Sequence, residues 1–163
     1  MSVRNLGELG LHLQKIITRL MANDVLVKLL YYPGQDPLAQ DELTQEEKSE
    51  KIFNELIKVV PLISTREDSR STIVIYVGHG QKISGNKEFR NIFITIDVIV
   101  PLSTWIIKDS NLRPFAILGQ IQESLDGKII NKLGKLDGGD FDLVDITQEN
   151  SIYSMTFSLT DYD

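Results

Sequence analysis

Residues 91–100, NIFITIDVIV, constrain the fold more than any other stretch. Ile92, Ile94, Ile96, Val98 and Val100 recur at every second position, with Phe93, Thr95, Asp97 and Ile99 between them. Strict period two in β-branched and aromatic residues predicts a strand with one buried and one more polar face. A strand leaves its amides and carbonyls unpaired, so a partner strand is required. The nearest candidate is TIVIYV at 72–77, separated from it by a polar segment containing Gly, Ser and Asn. That arrangement predicts an antiparallel hairpin.

The connecting stretch, YVGHGQKISGN at 76–86, is also the part most suggestive of chemistry. It carries Gly78, Gly80 and Gly85, and Gly80 to Lys87 falls one residue short of a Gly-x-x-x-x-Gly-Lys phosphate loop. A phosphate cradle needs a helix after the loop, whose free amides meet the anion. Here a strand follows, and Asn86 displaces the lysine. The glycines are therefore expected at hairpin positions requiring positive φ. His79 could serve as a general base only with an orienting carboxylate and a nucleophile, and none is recognisable nearby.

Helical spacing governs the N-terminal part. Leu6, Leu9, Leu13, Ile16, Ile17 and Leu20 form one apolar stripe, with His12 at a packing or boundary position. Asn23-Asp24 interrupts it and begins a second short turn, VLVKLLYY, which Pro33-Gly34 stops. Thr44 to Glu47 has the form of a capping box. Ile52, Phe53, Leu56, Ile57 and Val60 follow at helical spacing, which predicts a helix running to Pro61. In SNLRPFAILGQIQESLDGK at 110–128, Asn111 is placed to cap, Pro114 sits in the first turn and Gly127 terminates. INKLGKLDGGD at 130–140 reads as turn-rich, and Phe141 onward as a second hairpin turning at 148–150. In its last strand Tyr153, Met155, Phe157 and Leu159 make the apolar face. The order α-α-β-β-α-β-β implies an α+β fold: an antiparallel sheet of about four strands from two hairpins, with helices on one face.

With 163 residues the chain suits a single domain, 1–163, made of an N-terminal helical segment and acidic loop (1–45) and an α+β core (46–163). No apolar run is long enough for a membrane helix, and the start, MSVRNLGELGLHLQ, does not read as a secretory signal. The absence of cysteine rules out disulfides and thiolate metal sites and fits a reducing, intracellular setting. Asp137, Asp140, Asp142 and Asp145 invite a calcium reading, but their spacing does not fit an EF-hand loop. In a regular strand Asp140 and Asp142 would share a face and Asp145 would point the other way. No cofactor and no metal is expected, and no enzyme.

The net charge of −6 is unevenly spread. Residues 33–50 hold six acids and one lysine, and residues 136–163 hold seven acids and no base. Residues 51–135 hold twelve bases against eight acids. An acidic chain is poorly suited to nonspecific nucleic-acid binding. Opposite charges on different surfaces suit head-to-tail association instead.

The order of a leading helical segment, a long hairpin, a helix and a C-terminal hairpin resembles the tail terminator (tail completion) proteins of long-tailed bacteriophages. NDVLVKLLYYPGQDPLAQDELT and WIIKDSNLRPFAILGQIQESLDGKIINKLGKL look like segments of phage neck proteins. The resemblance implies a non-enzymatic virion protein, assembled in the host cytoplasm, that forms a ring, usually a hexamer, at the head-proximal end of the tail. Its partners would be itself, the tail tube protein, the head–tail connector and other neck proteins, and the tail sheath. The hairpin loop, taken as residues 78–90, is then a contact arm bearing Lys82, Lys87, Glu88 and Arg90. Another head–tail connector or sheath adaptor fits nearly as well, and a small intracellular protein-binding module is the alternative from a different class.

Overall fold

The computed structural model describes residues 6–59, 69–82, 84–85, 89–130 and 134–160. In chain order the elements are α1 (Leu9–Met21), α2 (Asp24–Tyr31), α3 (Gln45–Lys51), β1 (Ile57–Lys58), β2 (Thr72–Lys82), β3 (Phe89–Pro101), β4 (Ile106–Ile107), β5 (Asn111–Leu112), α4 (Arg113–Leu125), β6 (Lys135–Ile146) and β7 (Asn150–Thr160). The fold is α+β. Its main sheet has five strands in the order β1-β2-β3-β7-β6, with β4 and β5 forming a separate small ribbon.

The two expected hairpins, β2–β3 and β6–β7, meet at the sheet centre, where β3 and β7 pair antiparallel from Ile92↔Leu159 to Pro101↔Asn150. Pairing puts the alternating isoleucines and valines of β3 beside Tyr153, Met155, Phe157 and Leu159, all buried. Against this face pack α1, α2 and α4, which bury Ile16, Ile17 and Leu20, Leu26 to Leu30 in part, and Ile117, Leu118, Ile121 and Leu125. Each such side chain contributes roughly 1.5–3 kcal/mol on leaving water. The opposite face carries a small cluster, Val74, Ile99 and Ile152 with Tyr76. There the Tyr76 hydroxyl donates to Asp97 at 3.0 Å, and Ser154 also donates to the Asp97 carboxylate.

The predicted capping box is present: Thr44 Oγ1 accepts from the Glu47 amide, and Glu47 reaches back to the Thr44 amide. The helix it starts is shorter than the apolar spacing predicts. It ends at Lys51; Asn54 takes a positive φ of 58°, and Ile57–Lys58 joins β2 as a parallel edge strand. Burial of Ile52, Leu56 and Ile57 is satisfied by that tight turn as well as by a helix, so spacing alone did not discriminate. This strand brings the sheet to five. The predicted continuation at Val60 lies outside the described residues.

Two side chains lock the helical layer. Asn23 caps α2 by accepting from the Leu26 amide, while its Nδ2 donates to Gln120 Oε1 and Ser124 Oγ on α4. Arg113, 1% exposed, sits at the start of α4. Its guanidinium donates to the carbonyls of Leu29 and Tyr32 at 2.7 and 2.9 Å, of Gly34 at 2.5 Å and of Thr104 at 2.8 Å. Leu29 and Tyr32 lie at the α2 C-terminus, where carbonyls lack intrahelical partners and the helix dipole favours a cation. Burial pushes the Arg113 pKa down to about 10, which leaves it charged at neutral pH. Asn111, expected to cap α4, is instead in β5; its Oδ1 accepts from the Leu112 amide, and Pro114 occupies the first turn as predicted.

Candidate interaction surface

The β2–β3 hairpin is more extended than its sequence suggests. β2 continues through Gly78, His79 and Gly80 to Lys82, and β3 begins at Phe89, so the predicted loop of 78–90 shrinks to its tip. Two irregularities, between Val77 and His79 and between Gly80 and Gln81, absorb the extra residues. Only Gly85 of the three glycines has positive φ, at 78°. Gly78 matters for another reason: a Cβ there would meet Thr95 Oγ1 at 2.6 Å, so the threonine side chain would have to turn away. His79 is exposed on the strand, its ring 6.0 Å from that of Phe93.

Of the predicted contact residues, Lys82 ends β2 and is exposed, while Lys87 and Glu88 lie outside the described residues. Arg90 is in β3, paired in register with Gln81. The last β3 rungs, Gln81↔Arg90 and Lys82↔Phe89, fall beyond Ile92↔Leu159, the terminal rung between β3 and β7. Among the described residues, the hairpin therefore extends past the strand beside it.

At the other end of the sheet lies a surface that sequence reasoning missed. β6 starts at Lys135, inside the stretch predicted to be turns. Gly138 and Gly139, at φ 141° and 105°, make that possible. A Cβ on Gly138 would meet the Thr156 carbonyl oxygen at 2.7 Å, so a register shift occurs there that only glycine accommodates. A second shift, between Leu143 and Asp145, changes the alternation of the acids. Asp140, Asp142 and Asp145 pair with Thr156, Ser154 and Ile152 and so share one face. The expectation that Asp145 would point the other way is thereby corrected.

Phe141, Leu143 and Ile146 take the opposite face, each about half exposed, and Val144 is 59% exposed. Phe115 on α4, itself 43% exposed, packs edge-on to Phe141 and Tyr153 at ring separations of 6.3 and 5.5 Å. The result is an apolar strip running from α4 onto an edge strand, backed by a row of carboxylates. Contiguous exposed apolar surface of this kind marks interaction sites.

Among the described residues, no group of three or more His, Asp or Glu side chains is arranged to hold a metal ion. No described helix is long and apolar enough to cross a membrane. His12 is partly buried, its Nδ1 lacking a hydrogen-bond partner among the described residues; burial, and then Lys15, lower its pKa. Its partial burial fits the packing or boundary position that its sequence context predicts.

The family model described as YomW matches residues 23–159, from the cap of α2 to the last residue but one of β7. No curated protein and no solved structure matches the chain. The matched span takes in α2, α4 and all five strands of the main sheet except Thr160, and with them the β6 strip and both hairpins. The chain belongs to the YomW family and is a phage-related protein.

Proposed function

We propose that this chain is a non-enzymatic virion assembly protein. It acts as a tail terminator-like subunit that forms a ring, a hexamer as in the proteins it resembles, at the head-proximal end of a phage tail. There it caps the tail tube and joins it to the head connector. The observation that carries this reading is the apolar strip of Phe115, Phe141, Leu143 and Ile146 on an open sheet edge, which a ring would bury and an isolated chain leaves in water. Its phage-related family supports the setting. The opposite charges of the β2 end and the β6 face support a head-to-tail contact, the kind that closes into rings.

Native mass spectrometry of the purified chain tests the ring. A discrete oligomer, with six copies the expected number, supports it. A single chain at high concentration, with or without isolated tails, favours instead a small protein-binding module that uses the β2–β3 hairpin.

A further inference from the structure

β6 is the last strand of the sheet, and among the described residues its outer edge is covered only at the start. There the Leu136 amide and carbonyl meet Lys128 and Gly127, and the Gly138 amide meets the Asp126 carboxylate. From residue 140 to residue 146 every position is exposed, and β7 is the strand's only sheet neighbour among the described residues. An edge of this kind offers unpaired amides and carbonyls to another strand. The pleat adds a specific pattern: acids on one face, and Phe141, Leu143 and Ile146 on the other.

The acids decide what can lie there. Two β6 edges paired antiparallel with each other would set their carboxylate rows on the same face, opposing like charge to like charge. A basic strand meets the same row favourably. The exposed end of β2, residues 79–82, carries one cation, Lys82: its register puts His79 and Lys82 on one face, the side that carries the acids in β6. Strand direction agrees. β6 is antiparallel to β7, β7 to β3 and β3 to β2, so β2 and β6 run in opposite senses. A neighbouring copy that placed its β2 end beside β6 would continue the antiparallel alternation.

We infer that residues 140–146 of β6 form the seat for the β2 end of a second copy, which adds as an antiparallel strand with His79 and Lys82 over the Asp140–Asp142–Asp145 row. This contact rests on the proposed ring and specifies how its subunits join. The contact is heterologous: each copy offers its β2 end and receives another on its β6, so copies add head to tail until the chain of them closes.

Two charge reversals test it. Asp140→Lys with Asp142→Lys makes β6 basic; His79→Glu with Lys82→Glu makes the β2 end acidic. All four side chains are exposed, so sheet circular dichroism and the thermal midpoint should match the unaltered chain. Each double variant alone should self-associate at least roughly tenfold more weakly, by sedimentation and native mass spectrometry. An equimolar mixture of the two should assemble again, with the variants alternating. If either variant alone assembles like the unaltered chain, or the mixture stays as weak as its components, the inference is overturned. An unaltered chain that forms no oligomer at about 100 µM, alone or on tails, removes the ring and this contact together. An assembly that ignores both reversals removes the contact alone.

Discussion

Replacing Arg113 by Met tests the joint between α2 and α4. The side chain is 1% exposed and donates to four backbone carbonyls, those of Leu29, Tyr32, Gly34 and Thr104. A hydrogen bond from a charged donor contributes about 1.5–3 kcal/mol. The gross loss of four is therefore about 6–12 kcal/mol, against which stands the several-kcal/mol cost of burying a guanidinium. Hydrophobic replacement of buried ions can be neutral when all the ionic partners are replaced together. Here the acceptors are backbone and cannot be replaced, so orphaned carbonyls remain. The expected net loss is about 3–5 kcal/mol, a large fraction of the 5–15 kcal/mol typical of a domain. Urea unfolding followed by far-UV circular dichroism and by Trp105, the single tryptophan, measures it. Arg113→Lys keeps the charge but lacks the planar fork that spans four acceptors, so it should fall between the wild type and Arg113→Met. A Met variant within about 1 kcal/mol of wild type would refute the reasoning.

Three further outcomes are expected. Asn23→Ala removes both the α2 cap and the bridge to Gln120 and Ser124, and should cost about 2 kcal/mol by the same unfolding assay; Asn23→Ser, which keeps a cap, should recover about half of it. Gly138→Ala forces a Cβ against the Thr156 carbonyl at φ 141° and should cost at least about 2 kcal/mol, whereas Gly34→Ala, with nothing near its Cβ, should cost little. The Tyr76 pKa is raised, first by burial and then by the Asp97 charge. The unfolded state thus loses the phenolic proton at a lower pH than the folded state, and Tyr76 stabilises below its unfolded pKa and loses that contribution as pH rises through its folded one. Tyr76→Phe should therefore flatten the alkaline decline in thermal midpoint; an unchanged slope above about pH 10 would count against the Tyr76–Asp97 contact.

The legible parts of the sequence were those whose pattern is local. The alternation of β3 and β7, the Thr44 box and Pro114 each express one element's own geometry, and each is found in place. What escaped depended on partners distant in the chain. Ile52 to Ile57 has helical spacing, yet pairing of Ile57 with Ile73 makes it a strand. Lys135 to Asp140 is rich in turn-forming residues, yet β7 supplies a partner and the glycines become a strand irregularity. The same kind of shift moved Asp145 onto the acidic face, creating a site that strict alternation divides between two faces. Arg113 carries no local signal, because its four acceptors come from residues 29–34 and 104.

The central claim is that this chain sits as a ring at one end of a phage tail. The most direct measurement is electron microscopy of isolated tails to which the purified, gold-labelled chain has been added. The account predicts label at a single end of each tail, the end that joins the head, and tails of uniform length when the chain is present during tube assembly. Label along the tube, label at both ends, or none on tails that still join heads would contradict it.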